Sequence, residues 1–241
     1  MKRVYTREAA ILPSVCDGTG RLSVPGTFAL FMDAATEHAE ALGVGLRAMA
    51  AKNLFWLTVR TRVRFSRRPA MMETVTVETF PEDGGKVRCY RDYRLKSGEE
   101  LLAEGKTEWA VLDTATGRLH PAQDVMPADL EPPVPPVWEE PFSRIDEDFT
   151  GAELLGTYTV ASTDIDLGGH MNNAAYIRAL AGMFPGKAWN AMRIRELEVV
   201  FRAPCFEGDA LAVERRCADG VTDLRMREGD KTVLLARIVT E

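Results

Sequence analysis

The chain repeats itself, and this limits its possible folds more than any other feature. The stretch DGTGRLSVPGTFALF (17–31) lies over DLGGHMNNAAYIRAL (166–180) without a gap, so that Asp17 falls on Asp166 and Gly20 on Gly169. The stretch VRFSRRPAMMETVTVE (63–78) lies over VVFRAPCFEGDALAVE (199–214) with one gap, matching Phe65 with Phe201 and Pro69 with Pro204. Both copies run loop, helix, strand, turn, strand, strand, as a duplicated unit does. Between them, residues 121–141 hold seven of the chain's thirteen prolines. Proline lacks a backbone donor and favours extended geometry, so this segment reads as an ordered linker. We expect a first domain over 1–120, a linker over 121–148 and a second domain over 149–241.

Each copy offers one good helix. In the first, Ser23 can cap and Pro25 suits the opening turn. Phe28, Phe31, Ala35, His38 and Leu42 then recur at steps of three and four, giving one apolar stripe. His38 lies on that stripe and reads as a packed residue. The second helix starts near Asn172 or Asn173 and stops before Pro185-Gly186.

The remainder alternates as strands do. LTVRTRVRFS (57–66) sets Leu57, Val59, Thr61, Val63 and Phe65 on one face and Arg60, Arg62 and Arg64 on the other. Those arginines read either as a solvated face or as a docking stripe for an acidic partner. Further strands are expected over 72–80, 86–97, 101–113, 194–202, 209–217, 221–228 and 231–239. Strands outnumber helices and neighbours meander, so the fold class is α+β with an antiparallel sheet.

Composition excludes several function classes. No run of about 18 apolar residues occurs, so neither a secretory leader nor a membrane span is expected. A net charge of −6 argues against nucleic acid as a partner. Cys16, Cys89, Cys205 and Cys217 show no CxxC spacing. They suggest no zinc site and fit reduced thiols in the cytoplasm.

The chemistry concentrates in DIDLGGHMNNAAYI (164–177). It holds one of only three histidines, with two glycines before it and two asparagines after it. Such a segment delivers a titratable ring to the mouth of a helix. Histidine titrates near neutral pH and can deprotonate water. Asp166 can hold the ring or bind that water. The amides around His170–Asn173 can receive an oxyanion with help from the helix dipole. Asp164 is read as facing away, so that Asp164→Asn is expected to be mild. In the repeat, His170 falls on Arg21, Asn172 on Ser23 and Asn173 on Val24, so the first copy lacks this chemistry. A water mechanism needs no metal or organic cofactor.

These motifs resemble the acyl-acyl carrier protein thioesterases, which are tandem hot dog proteins. In a hot dog, a curved antiparallel sheet wraps one long helix. The resemblance covers nearly the whole chain. It rests on GRLSVPGTFALFMDAATEHAEALGVG and LFWLTVRTRVRFSRRPAMMETVTVETFPE in the first half, and on DIDLGGHMNNAAYI and ELEVVFRAPCFEGD in the second. It implies two tandem hot dog domains, with a catalytic second half and a first half that shapes the acyl tunnel. The implied activity is hydrolysis of fatty acyl-acyl carrier protein to free fatty acid. Asp166, His170 and Cys205 are the implied catalytic residues, and Asn172, Asn173 and Trp56 the implied substrate contacts. Arg193 and Arg195, with Lys187, are candidates for binding the acidic carrier.

The sequence also departs from the family pattern. Gly168 stands where the family usually has asparagine, and Pro204 where it has glutamate. Glu198 and Glu207 are the candidates to replace that glutamate. A shorter form of the histidine motif occurs in single hot dogs acting on acyl-CoA, so an acyl-CoA thioesterase is the alternative. A non-catalytic acyl-thioester-binding protein is a third reading. Whether two chains pair as a homodimer is left open, because two hot dogs in one chain already mimic the usual dimer.

Overall fold

A computed structural model describes residues 1–83, 85 and 87–241 of the protein. The first copy contributes β1 (Tyr5–Ala10), α1 (Val24–Ala41), α2 (Leu46–Ala50), β2 (Leu54–Phe65), β3 (Thr74–Pro81), β4 (Arg88–Ser97), β5 (Glu100–Asp113) and β6 (Arg118–His120). The second contributes β7 (Glu153–Thr159), α3 (Asn173–Gly182), α4 (Gly186–Ala191), β8 (Ile194–Phe201), β9 (Ala210–Ala218), β10 (Val221–Glu228) and β11 (Lys231–Thr240). The strand expected from Lys86 begins on a residue outside those described.

All the strands join one sheet in the order β1-β3-β4-β5-β2-β8-β11-β10-β9-β7, with β6 beside β5. The two copies meet at β2 and β8, which run antiparallel. Arg60 faces Val200 and Arg64 faces Glu196, a register that maps onto itself when the copies are exchanged. Each central strand also carries a bulge at its outer neighbour. Thr58 and Arg60 face consecutive β5 residues, which leaves Val59 extra. Glu196 and Ile194 face consecutive β11 residues, which leaves Arg195 extra.

The helices α1 and α3 lie together on one face of this sheet. Phe28, Phe31 and Ala34 of α1 pack with Ala175, Ile177 and Leu180 of α3 over sheet residues such as Val63, Val77, Val199 and Leu234. A smaller cluster of Leu42, Val44, Met49, Leu54 and Val111, with Trp56 and Trp109 against it, closes the far end of α1. Removing such side chains from water is the main term holding the layers together.

The bulge corrects the reading of β2. An extra residue in a strand shifts its alternation. Leu54 and Trp56 pack inward, and Thr58 rather than Val59 meets a helix residue, Asn173.

The linker is a strap across the other face of the sheet, and this corrects both readings of the alternating arginines. Arg62 and Glu198 are buried there and bond at 2.8 Å. Arg62 also donates to the Pro141 carbonyl at 3.0 Å and the Ser143 hydroxyl at 3.2 Å. Arg60 pairs with Glu108 at 2.7 Å and Arg64 with Glu196 at 2.8 Å. The guanidinium of Arg64 sits over Trp138, and those of Arg60 and Arg62 over Phe142, an arrangement that ring quadrupoles favour. These arginines fasten the strap; they are neither a solvated face nor a docking stripe. Under the same strap, Asp92 accepts from the Val137 amide at 3.2 Å. Burial, reinforced by Glu82 and opposed by Lys106, pushes its carboxyl up to about 7.

Candidate active site

The loop before each long helix is the same object built twice. In the second copy, the Asp166 amide donates to the His170 carbonyl and the Gly169 amide to the Asp166 carbonyl, both at 3.0 Å. In the first, the Asp17 amide donates to the Arg21 carbonyl at 2.8 Å and the Gly20 amide to the Asp17 carbonyl at 3.0 Å. Gly169 (φ 76) and Gly20 (φ 71) take the left-handed turn, which costs glycine least. Asn172 and Ser23 cap α3 and α1, accepting from Ala174 at 2.8 Å and Gly26 at 2.9 Å.

The same bonds revise the alignment of the turns after β2 and β8. Leu22 donates to the Pro69 carbonyl at 2.9 Å, and Met171 donates to the Cys205 carbonyl at 2.8 Å. Pro69 is therefore the counterpart of Cys205 and Arg68 that of Pro204, with no gap.

Around His170 the groups converge on Gly168. A Cβ placed there would lie 3.0 Å from Asp166 Oδ1, 3.3 Å from His170 Nδ1 and 3.5 Å from Phe55 Cζ. The Gly168 amide donates to Asp166 Oδ1 at 2.7 Å, which fixes that carboxylate oxygen beside Gly168. The half-buried imidazole also lies against the Phe206 ring, with centroids 5.4 Å apart. The Asn173 side-chain amide reaches the first copy and donates to Thr58 Oγ1 at 2.8 Å. The structure thus brings together Asp166, His170, Asn172 and Asn173, adding Phe55, Thr58 and Phe206.

The oxyanion donors are fewer than expected. The Met171 and Asn172 amides are spent on the Cys205 and Asp164 carbonyls, both at 2.8 Å. Among the described residues, the His170 and Asn173 amides have no protein acceptor.

Other expectations are corrected. Cys205 is fully buried, and burial pushes its thiol up, with a neighbouring Tyr176 hydroxyl only partly offsetting this. A buried, protonated thiol is a poor nucleophile, which argues against a catalytic role for Cys205, whose carbonyl instead accepts from the Met171 amide. Trp56 donates to the Val44 carbonyl at 2.9 Å and packs edge-on against Trp109; its neighbour Phe55 is the residue at the loop. Arg193 and Arg195 stand at the start of β8, whereas the loop lies beyond its end, a strand length of about 20 Å away. Arg193 there pairs with Glu241 at 3.1 Å. Glu198 is committed to Arg62 on the far face, and Glu207 is an exposed turn residue. Asp164 is not a free carboxylate, so its replacement by asparagine is not expected to be mild. It is buried and accepts from the Tyr158 hydroxyl at 2.6 Å and the Ala161 amide at 3.0 Å.

The first copy shows what the second has kept. There Arg68 pairs with Asp17 and also donates to the Leu22 carbonyl at 3.1 Å. Burial alone would raise the Asp17 carboxyl, but hydrogen bonds from Thr19 and Arg68 outweigh it and hold it low. His38, the first copy's own helix histidine, is buried. It binds the Lys2 carbonyl at 3.1 Å and Arg91 at 2.9 Å, as a packed histidine should.

Two family models match the chain. One, described as the acyl-ACP thioesterase N-terminal domain, matches residues 2–129, and the other, described as the acyl-ACP thioesterase C-terminal domain, matches residues 149–233. Among curated proteins, the chain is similar to a chloroplastic palmitoyl-acyl carrier protein thioesterase of Gossypium hirsutum. They are 25% identical over 200 residues, which is 78% of this chain and 48% of that protein. It is also similar to the chloroplastic oleoyl-acyl carrier protein thioesterase 2 of Arabidopsis thaliana, at 23% over 222 residues, or 84% and 60% of the two chains. The chain thus spans about half the length of such relatives. In fold, it resembles the crystal structure of an acyl-ACP thioesterase from Bacteroides thetaiotaomicron, with a TM-score of 0.90 at 22% identity over 99% and 98% of the two chains. It likewise resembles a 12:0-ACP thioesterase from Umbellularia californica, with a TM-score of 0.82 at 20% identity over 99% and 97%. Both show the tandem hot dog architecture shared with this chain.

Proposed function

Because this chain belongs to the acyl-ACP thioesterase family, we propose that it hydrolyses fatty acyl thioesters of acyl carrier protein to free fatty acids. The observation that carries the reading is the convergence of Asp166 Oδ1 and His170 Nδ1 on Gly168, at the mouth of α3. Asp166 is the loop aspartate without an arginine partner among the described residues. It orients water and ring, and His170 takes the proton as the water oxygen attacks the thioester carbon. The carbonyl oxygen gains charge facing the Asn173 and His170 amides at the positive end of the helix. When the C–S bond breaks, His170 returns the proton to the leaving sulfur, giving one acid and one thiol per water consumed. This chemistry requires no cofactor.

Phe55 from the first half supports assigning that half to the acyl chain. It also means the reading requires no homodimer, because the neighbouring copy is already in the chain. No described helix is long and apolar enough to cross a membrane. The four free cysteines support a cytoplasmic setting.

The test is hydrolysis by the purified chain of acyl-acyl carrier protein across chain lengths, with matched acyl-CoA esters in parallel. The expected result is acid and thiol release from the carrier-protein esters, with His170→Ala about two orders of magnitude slower or worse. Turnover of CoA esters alone would reassign the carrier. Binding without turnover on either substrate would make the chain an acyl-thioester binder.

A further inference from the structure

The copies differ at one more pair of positions beside the loop. Asn173 opens α3, and its side-chain amide donates to Thr58 Oγ1 on β2 at 2.8 Å. Thr58 stands one residue before the bulge, as Ile194 does on β8. Asn173 falls on Val24 in the repeat. The first copy therefore has Val24 and Ile194 where the second has Asn173 and Thr58. Val24 lies in the apolar core and Ile194 packs against the same core. The equivalent places in the first copy are thus filled by aliphatic residues, and a long helix is seated on a bulged strand there without a polar pair. The polar pair occurs in the copy that holds His170, at the residue whose backbone amide is free for an oxyanion.

We propose that Thr58, a residue of the non-catalytic half, is a positioning residue for the second copy's site. Its hydroxyl accepts one N–H of the Asn173 side chain, which fixes the amide plane and pins the first turn of α3 to β2. The bond spans the two copies, so it holds the Asn173 amide and the His170 loop in one register against Phe55. Thr58 acts through Asn173 and does not touch the reacting atoms. A helix start displaced by even a fraction of an ångström loses alignment with the oxyanion, and such misplacement is felt in turnover more than in binding.

The inference rests on the proposed hydrolysis, so its test has one arm that needs no turnover. Thr58→Val, Asn173→Val and the double variant are compared with wild type and Thr58→Ser. The sister copy shows that aliphatic residues fit both places, so melting temperatures should stay within about 3 °C of wild type. Each single variant should lose about tenfold in kcat with KM changed less than about twofold. The double variant should lose no more than Asn173→Val alone, since the two side chains work as one unit. Thr58→Ser, which keeps the acceptor, should retain the wild-type rate. In NMR spectra, one Asn173 side-chain amide proton should exchange slowly in wild type and Thr58→Ser, and fast in Thr58→Val. Full turnover by Thr58→Val, or additive losses in the double variant, would overturn the positioning role while leaving the hydrolysis intact. If wild type hydrolyses no thioester, the functional reading fails. The exchange arm then decides separately, and unchanged amide protection in Thr58→Val would remove the clamp as well.

Discussion

Residues 17–23 and 166–172 fold through the same backbone hydrogen bonds, the same left-handed glycine and the same side-chain cap. They nevertheless surround the shared aspartate with different charges. Asp17 is tied to Arg68, and an exposed arginine, Arg21, stands where a histidine would be. Asp166 Oδ1 and His170 Nδ1 both lie beside Gly168, and with Pro204 in place of an arginine Asp166 has no ionic partner among the described residues. The loop scaffold thus holds with either set of side chains, because its stability lies in amides, glycine and caps. On the proposed reading, the chemistry lies in about four side chains that the scaffold tolerates either way.

The largest test of this contrast removes the groups that the first copy lacks. His170→Arg installs the residue of the first copy, and turnover should fall by about two orders of magnitude or more. Asp166→Asn keeps the shape and removes the charge, and it should cost nearly as much. Steady-state rates beside a circular-dichroism melt check both. A folded His170→Arg enzyme with normal turnover would end the assignment.

A smaller loss is expected from giving the second copy the arginine of the first. Pro204→Arg can pair with Asp166 as Arg68 pairs with Asp17, which stabilises the carboxylate and draws it from the ring. A loss of about tenfold is expected, relieved by salt because the pair is exposed. Pro204→Met, long but neutral, should keep most of the activity. If Met at 204 is as harmful as Arg, the effect is steric and charge pairing is not what separates the loops.

Cys205→Ser should change turnover per folded molecule by less than about threefold, since the buried thiol is a poor nucleophile. It should instead lower the melting temperature, because a hydroxyl is buried where sulfur packed. A dead but stable Cys205→Ser would restore a covalent route.

Much of this was legible in the chain, and the parts that were not share physical causes. The repeat, the helix starts and the loop showed because caps, glycines and spacing are local. Thr58 was hidden by the bulge at Val59, which reverses the inward face of β2; alternation alone sends Thr58 outward. The role of the β2 arginines is not legible in the sequence because their partners are remote. Glu198 and the strap residues Pro141 and Ser143 lie far along the chain. Arg193 and Arg195 follow the catalytic helix in sequence, yet an antiparallel strand carries them to the opposite end of the site. Cys205 is next to the loop in space, but only the structure shows that its thiol is buried while its carbonyl accepts from Met171.

The smallest effect on turnover is expected from the histidine inside α1, whose signature is in stability. His38 is buried, and burial first and Arg91 second pull its pKa from 6.5 down to about 4. Its Nδ1 accepts from Arg91, so Nε2 carries the proton that is donated to the Lys2 carbonyl. The folded state therefore keeps the ring neutral, while the unfolded chain protonates it near pH 6.5. Between those values the unfolded state binds more protons, so this contribution is present above pH 6.5 and is lost as pH falls toward 4. The loss amounts to about 3 kcal/mol. Asp92 acts in the opposite sense. Its raised pKa lets the folded state hold a proton below about pH 7, so its contribution grows as pH falls through the same window. The two partly cancel in the wild-type curve, and only a difference between proteins separates them. His38→Gln keeps a neutral donor and acceptor but cannot titrate. Denaturant midpoints of both proteins at pH 7.5, 6 and 4.5 should show wild type losing ground to His38→Gln as pH falls, with turnover at pH 7.5 nearly equal. A stability gap that stays constant with pH would mean that His38 is not held neutral, and the two histidines would then differ in place but not in protonation.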